Sequence, residues 1–270
     1  MGSISKYIAR KLFLKNRVKP TKGVLPMVMT NDLIGQSIIL NGFYEKDLVS
    51  TIINSFDFNP REYSCLDVGC NIGNHAVQFK DHFKKVSGFE PQKRTFKILT
   101  LNTEHYDNVK IYNFGLSSKP GEFTLNIPYA NSGGGSHVAL PSEKHYYTEN
   151  IELKVYDDEF SEEIAFVKID VEGNEVDVIK GMKKTIENYK PIISFEYNRD
   201  QKNEIIDLLN TLGYTNFYKP KSHFMNKLIG SDNLYPPNKL EEISLPYKKD
   251  CSLLTTYHKD SKFRLKNAIK

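Results

Sequence analysis

Short apolar runs alternate with stretches of helical spacing along most of the chain. Runs such as "SCLDVG" (64–69), "IAFVKID" (164–170) and "PIISFEY" (191–197) predict buried strands. The stretches "NHAVQFKDHFKK" (74–85) and "EVDVIKGMKKTIEN" (175–188) carry apolar residues at intervals of three and four, which predicts helices. Strands that alternate with helices predict an α/β fold with a mostly parallel sheet and helices on both of its faces.

The same patterns predict the rest of the fold. We expect seven strands in the sheet and a helix over 92–105 in which Leu101 faces inward. Two more predicted strands, "EFTLNIP" (122–128) and "IELKVY" (151–156), flank a glycine-rich insertion. The stretch 221–250 has no regular pattern, and loops of that length are usually functional or disordered.

The pattern changes at both ends of the chain. We expect a basic N-terminal extension over 1–29, one domain over 30–260 and a basic tail over 261–270. Within the extension, "SKYIARKLFLKNRVK" (5–19) has apolar residues on one helical side and basic residues elsewhere. This predicts either a helix on an anionic membrane surface, or a solvated leader or helix packed on the domain.

Targeting signals are not evident in the sequence. No apolar run approaches the roughly 20 residues that a bilayer crossing needs, and no continuous apolar segment follows the basic start as in a signal peptide. The three cysteines lack metal-ligand spacing and are expected to be reduced thiols. We therefore expect a cytoplasmic protein, peripheral to a membrane only if its basic N-terminal segment binds one.

The net charge of +4 conceals an uneven distribution. Residues 1–22 hold seven Lys or Arg and no acid, and residues 258–270 hold five basic residues and one acid. The remainder has 25 basic and 32 acidic residues, a net charge of −7. A basic nucleic-acid-binding face across the domain is therefore not expected.

One glycine loop carries the clearest candidate chemistry. Asp67, Gly69, Asn71 and Gly73 form the pattern D-x-G-x-x-x-G between a predicted strand and a predicted helix. A dinucleotide site instead uses G-x-G-x-x-G, which lets bare backbone amides meet a pyrophosphate. An acid before the first glycine would repel pyrophosphate but suits a cationic nucleoside such as S-adenosylmethionine. The alternative is a purely structural turn.

Two polar residues at the next strand ends are candidate partners of such a nucleoside. Glu90 lies 23 residues after Asp67, and an acid about 20 residues beyond the loop can accept hydrogen bonds from both ribose hydroxyls. Asn113 ends the third strand, where an adenine edge would lie, although an Asn before a turn has structural uses as well. Both are predicted cofactor contacts.

Acidic residues also follow the strands further along the chain. Asp170 and Glu172 lie in "FVKIDVEGNE" (166–175), beside the expected position of the transferred methyl group, and Asp170 is a predicted cofactor contact too. Such carboxylates can act as general base or hold a cation. Asp170, Glu196 and Asn198 together offer oxygen ligands for Mg²⁺, with a metal-free site as the alternative.

Seven segments resemble, in order and spacing, the FkbM family of S-adenosylmethionine-dependent methyltransferases. They are "GFYE" (42–45), "CLDVGCNIGN" (65–74), "GFEP" (88–91), "VKIYNFGLSSKPGEFTL" (109–125), "VYDDEF" (155–160), "VKIDVEGNEVDVIKG" (167–181) and "KPIISFEYN" (190–198). The resemblance implies a class I Rossmann-like methyltransferase fold and O-methylation, often of hydroxyls of sugars, glycans or natural products. Cys70 departs from the small residue common there, and nothing after residue 200 resembles the family.

Methyl transfer to an alcohol needs a base or a metal, because an alcohol is a poor nucleophile at neutral pH. Asp170 and Glu172 are the first candidates for handling the acceptor, and Glu196 is the second. The segment "NSGGGSH" (131–137) is predicted either to cover the site and bring His137 to the acceptor, or to be a surface loop without a role.

Three other functions compete with this prediction. A nucleic-acid methyltransferase could use the basic tails to hold phosphate, although the charge of the domain opposes it. An NAD-dependent oxidoreductase conflicts with the acid and the glycine spacing of the loop. A non-catalytic domain that only binds the cofactor is also compatible with the motifs.

Overall fold

The computed structural model describes residues 7–8, 11, 26–29, 33–128, 146–197, 202–221, 239–244, 251–257 and 261–266. The helices are α1 (Leu33–Asn41), α2 (Lys46–Asn54), α3 (Asn74–Phe79), α4 (Lys93–Thr103), α5 (Tyr156–Glu159), α6 (Glu175–Gly181), α7 (Lys183–Tyr189) and α8 (Lys202–Thr211). The strands are β1 (Ser64–Val68), β2 (Lys85–Phe89), β3 (Val109–Tyr112), β4 (Gly115–Leu116), β5 (Gly121–Pro128), β6 (Tyr146–Lys154), β7 (Ile164–Ile169), β8 (Ile192–Tyr197), β9 (Tyr214–Pro220), β10 (Leu240–Ile243) and β11 (Cys251–Tyr257).

The main sheet has the strand order β10-β9-β11-β8-β7-β1-β2-β3. β1 pairs in parallel with β2 and β7, β7 pairs in parallel with β8, and β11 runs antiparallel to β8 and β9. The chain moves outward from β1 to β3 and then returns to the other side of β1 at β7. This reversal creates a crevice at the carboxyl ends of β1 and β7, where open α/β sheets bind ligands.

The predicted α/β class is confirmed, and the sheet has eight strands rather than the expected seven. The additional strand is β10, which pairs antiparallel with β9 at the edge of the sheet. Its sequence, "LEEI", lies in the stretch without regular pattern, because two adjacent acids interrupt the alternation. An ion pair between Glu241 and Lys219 joins β10 to β9.

Both faces of the sheet are buried, as the continuous apolar runs predicted. Leu66 of β1 and Val167 of β7 belong to one hydrophobic core, whereas their chain neighbours Cys65 and Phe166 belong to another. Successive side chains of a strand point to opposite faces. The two cores therefore lie on opposite sides of the sheet and fix β1 and β7 at its centre.

The predicted strands around the glycine-rich insertion form a sheet of their own. β5 and β6 pair antiparallel, and the short β4 pairs in parallel with β6. The apolar residues of this small sheet, Leu125, Ile127, Ile151 and Leu153, form a third hydrophobic cluster. The insertion between β5 and β6 lies outside the described residues.

Two helical predictions were wrong in detail. Leu101 of α4 is exposed, because the inward position next to it belongs to Asn102. The Asn102 side chain exchanges hydrogen bonds with the backbone of Met27 and donates to the Ile72 carbonyl at 2.8 Å.

The single helix predicted over 175–188 is two helices, α6 and α7, which meet at the non-helical Met182.

The ends of the predicted domain also make contacts. Phe263 is buried, and Phe56 and Leu265 form an isolated β-bridge, so packing continues past residue 260. Tyr7 and Ile8 are exposed, but most of the segment predicted to contact a membrane lies outside the described residues. No helix among the residues that the structure describes is long and apolar enough to cross a membrane.

Candidate functional site

A cavity opens at the crevice between the carboxyl ends of β1, β2 and β7. Its lining comes from the loops that follow these three strands, from the small sheet, and from Ile34, Tyr44, Asn74 and His75. Of the predicted site residues, Gly69, Asn71, Glu90, Asp170 and Glu172 lie in this lining. The cavity therefore brings together residues that are more than 100 positions apart in the sequence.

The glycine loop depends on its missing side chains. Gly69 has a φ of +79°, and a Cβ there would lie 1.8 Å from the Asp170 carbonyl oxygen. Gly73 has a φ of +91° at the start of α3, and its Cβ would meet Leu99 at 2.7 Å. The loop after β1 can thus press against the loop after β7 only because residue 69 is glycine.

Cys70 fits this loop because Gly88 faces it. A Cβ on Gly88 would lie 2.7 Å from the Cys70 Sγ. Burial, together with Asp67 beside it, raises the pKa of the Cys70 thiol, which therefore remains protonated. Cys70 thus packs inside the protein against the residue that has no side chain.

The loop's own backbone donors are already engaged. The N–H groups of Gly69 and Cys70 donate to the Phe89 carbonyl at 3.1 and 2.9 Å. The Asn71 N–H donates to Glu90 Oε2 at 3.0 Å. These three amides, which a phosphate-binding loop would direct toward its ligand, instead tie the loop to the end of β2.

Glu90 is buried at the end of β2 and accepts two backbone hydrogen bonds. Oε2 accepts from Asn71, and Oε1 accepts from the Gln92 N–H at 2.9 Å. Burial raises the pKa of Glu90 to about 7, although these two N–H groups oppose the shift. Each carboxylate oxygen retains a second lone pair, so Glu90 can still accept hydrogen bonds from a ligand in the cavity.

Asn113 does not belong to the lining that the described residues form. Its side-chain amide donates to the carbonyls of Glu90 and Pro91 at 2.9 and 3.2 Å. The Asn113 amide thus holds the loop after β2, and its contact with adenine stays a prediction.

Lys168, which the sequence analysis missed, is central to the site. Its Nζ lies 3.5 Å from Asp67 Oδ1 and 3.1 Å from Asp170 Oδ2. Asp67 is fully buried and does not reach the lining, so the cation that its carboxylate contacts is this lysine. A lysine inside a buried strand is unusual, and this was the available signal.

The two acids determine the charge state of Lys168. Burial lowers the pKa of Lys168, but Asp170 and Asp67 outweigh it, so the pKa lies above its ordinary value. In return, the Lys168 ammonium lowers the pKa of Asp170 against the opposing effect of burial. Lys168 and Asp170 are therefore both ionised at neutral pH.

The loop after β7 is held in an unusual backbone conformation. Glu172 has a φ of +52°, and its exposed side chain lies at the cavity. The buried Glu175 accepts the N–H groups of Val171 and Gly173 at 3.3 and 3.2 Å. Glu175 thus stabilises the loop that presents Asp170 and Glu172.

Glu196 lies at the end of β8, next to the end of β7, but outside the cavity lining. Burial, followed by Asp170 and Glu172, raises the pKa of Glu196 to about 7. No group of three acidic, His or Cys side chains that could hold a metal ion occurs in the part of the chain that the structure describes. Asn198, the third predicted magnesium ligand, lies outside that part, and the Lys168 ammonium already neutralises Asp170.

Other lining residues were also missed. Leu116, Leu125, Ile151 and Leu153 line the cavity from β4, β5 and β6, and we refer to them as the apolar wall. Their strands were predicted, but no local pattern in the sequence indicates that they face the site. His137, predicted to approach the acceptor, lies outside the described residues.

Tyr44, Glu45 and His75 form a further polar group, which we call the His75 cluster. His75 Nε2 lies 3.2 Å from Glu45 Oε2, and Tyr44 and His75 line the cavity. The segment containing Tyr44 is joined to α3 because the Asn74 side chain accepts the Tyr44 N–H and donates to its carbonyl, both at 3.0 Å.

Known proteins resemble the chain in sequence and in structure. It is 33% identical over 128 residues to the hexuronic acid methyltransferase AglP of Haloferax volcanii, an alignment that covers 47% of this chain and 53% of that protein. The chain thus spans about half the length of the curated relative it matches.

Two solved structures are similar in fold. The methyltransferase FkbM from Methylobacillus flagellatus KT has a TM-score of 0.47 and 15% identity, over 93% of this chain and 59% of that one. The precorrin-6y C5,15-methyltransferase from Geobacter metallireducens GS-15 has a TM-score of 0.44 and 9% identity, over 88% and 100%.

The family assignment rests on the sequence match itself. Residues 67–215, more than half of the chain, match the profile of the methyltransferase FkbM domain. This range contains the glycine loop, Glu90 and the loop after β7, which carried the resemblance. The predicted family is therefore confirmed, and the chain belongs to the methyltransferase FkbM domain family.

Proposed function

We propose that this chain is an S-adenosylmethionine-dependent O-methyltransferase that acts on a hydroxyl of a sugar, glycan or related small molecule. The observation that carries the proposal is a cavity at the β1–β7 crevice that joins Glu90 to Asp170 and Glu172, in a member of the FkbM methyltransferase family. The similarity to a hexuronic acid methyltransferase supports a sugar acceptor.

The lining residues fit an adenosine that carries a positively charged sulfur. Glu90 offers two oxygens with free lone pairs, which suits the two hydroxyls of a ribose. The apolar wall provides a surface for the adenine ring. Asp170 and Glu172 supply negative charge for the sulfonium and for the amino group of the methionine part. When bound, this cofactor supplies an electrophilic methyl group.

Asp67 and Lys168 contribute to this site by position. Lys168 holds Asp170 at 3.1 Å and is itself held by Asp67 from beneath the lining. We therefore assign Asp67 an indirect effect on cofactor binding, and we leave Asn113 out of the proposed contacts because it lies outside the lining.

A dinucleotide is disfavoured by the same residues. A pyrophosphate needs free N–H donors at the glycine loop, but the amides of Gly69, Cys70 and Asn71 donate within the protein. Asp170 and Glu172 would also repel it. This supports a methyltransferase over an NAD-dependent oxidoreductase.

The acceptor is proposed to lie near the loop after β7. Asp170 and Glu172 can accept hydrogen bonds from sugar hydroxyls and so orient the reacting oxygen. Glu196 is a second choice because it lies outside the lining, and His137 remains a candidate from the insertion. We do not include a magnesium ion in the proposal.

Calorimetry and a transfer assay test this function. S-adenosylmethionine should bind, and NAD should give no heat. Glu90→Gln should weaken S-adenosylmethionine binding by about 10- to 100-fold, because it loses hydrogen bonds to a charged acceptor worth about 1.5–3 kcal/mol. Glu122→Gln, an exposed carboxylate of β5 outside the lining, is the matched control and should bind normally.

Transfer is measured with labelled cofactor on methyl glycosides of glucuronic acid, galacturonic acid and glucose. A label that resists mild alkali indicates a methyl ether on a hydroxyl, whereas an alkali-labile label indicates a methyl ester on a carboxylate. No binding of S-adenosylmethionine would refute the proposal. Binding without transfer to these sugars would favour a non-catalytic domain. Transfer to nucleic acid alone would favour a nucleic-acid methyltransferase.

A further inference from the structure

The His75 cluster contains a proton acceptor that the proposed function does not yet use. His75 lies on the first turn of α3, directly after the glycine loop, and its side chain is 12% exposed. It reaches the cavity together with Tyr44. Asp170 on the loop after β7 is close enough for His75 to lower its pKa. His75 therefore faces the same region as the predicted acceptor-handling acids.

The His75 ring lies against the Glu45 carboxylate. Nε2 is 3.2 Å from Oε2, and a carboxylate oxygen can only accept, so this contact favours a proton on Nε2. Burial, followed by the charge of Glu45, raises the pKa of Tyr44 to about 12. The Tyr44 hydroxyl thus remains protonated beside the His75 ring.

This contact leaves the other ring nitrogen as an acceptor. A neutral imidazole has one N–H and one lone pair, and the hydrogen bond of one nitrogen fixes the state of the other. With Nε2–H directed at Glu45, Nδ1 carries the lone pair. No donor among the described residues hydrogen-bonds to Nδ1. A neutral His75 can therefore take a proton from a ligand.

The acids of the site are less suited to take that proton. Lys168 contacts Asp170 at 3.1 Å and keeps it ionised, so its affinity for a proton is low. Glu196 lies outside the lining. His75, in contrast, lines the cavity and contacts the Glu45 carboxylate through Nε2, which leaves Nδ1 for a ligand.

We propose that His75 is the general base for methyl transfer and that Glu45 is the positioning residue that fixes its tautomer. This inference rests on the proposed function and specifies that the acceptor is a hydroxyl. The O–H bond of the acceptor breaks and its proton goes to Nδ1. An electron pair of the acceptor oxygen forms the bond to the methyl carbon, and the pair of the broken C–S bond stays on sulfur. The imidazolium then releases the proton to water.

The first test needs no acceptor. Nitrogen and carbon NMR of protein labelled at histidine, with the His75 signals assigned by their loss in His75→Asn, reports the tautomer directly. The neutral ring should be protonated at Nε2 and unprotonated at Nδ1, and Glu45→Gln should give a mixture of tautomers. A neutral His75 that carries its proton on Nδ1 would overturn the proposal.

The second test separates binding from turnover. His75→Asn should bind S-adenosylmethionine about as tightly as the natural protein, within roughly threefold, which is less than about 1 kcal/mol. Its kcat should fall by about 100- to 10,000-fold, the usual contribution of a general base. His82→Asn is the matched control, because His82 follows α3 but does not line the cavity.

The pH profile adds a signature that a structural role would not give. Tyr44, Glu45 and Asp170 face His75, and Lys168 contacts Asp170, so these are the charged or titratable groups that accompany it. The decline of kcat at acidic pH should disappear in His75→Asn and persist in His82→Asn. An unchanged kcat in His75→Asn would contradict the proposal. So would a decline of kcat at acidic pH that disappears only in Glu196→Gln.

The methylated product distinguishes failure of the His75 proposal from failure of the proposed function. An alkali-labile methyl ester would keep the methyltransferase and overturn the base, since a carboxylate acceptor needs no deprotonation at neutral pH. Absent binding of S-adenosylmethionine would refute the proposed function. The proposal that His75 is the general base would then be refuted as well, even if NMR found the expected tautomer.

Discussion

Glu90 should make the ligand-free protein less stable as the pH rises toward neutrality. In the unfolded chain its carboxyl titrates near its ordinary value of 4.5, whereas burial in the folded protein raises the pKa to about 7. Between these two values the folded state binds a proton that the unfolded state has released. Stability falls with pH wherever the folded state binds more protons. This contribution is thus fully present below pH 4.5 and lost as the pH rises to about 7.

The size of the effect follows from the same difference. Each pKa unit corresponds to about 1.4 kcal/mol, so ionising Glu90 in the folded protein removes on the order of 3 kcal/mol of unfolding free energy. Glu90 is only 8% exposed, so solvent screens little of this energy. The loss is a consequence of placing an ionisable carboxyl in a buried position.

The perturbation is Glu90→Gln, which cannot ionise. Glutamine has one acceptor oxygen, so one of the two N–H groups, of Asn71 or Gln92, loses its partner. Such a loss costs about 1–3 kcal/mol at every pH. The informative quantity is therefore the slope of stability against pH and not the stability at a single pH.

Urea unfolding followed by circular dichroism, at intervals from about pH 5 to about pH 8, measures this slope. The slope of the natural protein also contains Glu196, whose pKa is likewise raised to about 7, although Glu196 is only half-buried. The slope should become shallower in Glu90→Gln, and Glu196→Gln removes the second contribution separately. An unchanged slope in Glu90→Gln would show that burial does not hold this carboxyl protonated.

Three further substitutions test the loops around the cavity. Gly69→Ala should lower the unfolding free energy by at least about 2 kcal/mol, because its Cβ would meet the Asp170 carbonyl at 1.8 Å; a thermal midpoint close to that of the natural protein would contradict this. Lys168→Met should cost about 3–5 kcal/mol by leaving a buried charge unpaired. That loss should shrink in an Asp67→Asn background, and a double-mutant cycle without coupling would exclude the pair. Asn113→Ala should leave S-adenosylmethionine affinity within about threefold in calorimetry, since Asn113 lies outside the lining, and a large loss would restore its predicted contact with adenine.

The central strands and the glycine loop were predictable because their signals are local. β1 and β7 appear as continuous apolar runs since both faces of the sheet are covered. Gly69 and Glu90 appear because a strand end and a fixed separation place them at one cavity. These features depend on neighbouring positions and on the general rules of parallel sheets.

The missed features depend on partners that are distant in sequence. Leu101 looked like a core residue, but Asn102 takes the inward position, where its side chain donates to the carbonyls of Met27 and Ile72. The apolar wall was predicted as strands, but only the separate small sheet places it at the cavity. Asn113 was assigned by its strand end, and the sequence could not show that its side-chain amide donates to the backbone of the preceding loop.

Lys168 is the cation beside Asp67, where the sequence predicted a cationic cofactor. The sequence suggested that Asp67 would face the cation, whereas the buried carboxylate contacts the lysine. Lys168 is nevertheless compatible with a cationic ligand, because its charge is exceeded by the acids around it. The lining holds Lys168 with Glu90, Asp170 and Glu172, and Asp67 lies directly behind. Even with Glu90 protonated, the formal charges of these groups sum to a negative value. A cationic nucleoside therefore remains the predicted ligand, although Asp67, from which it was predicted, is buried.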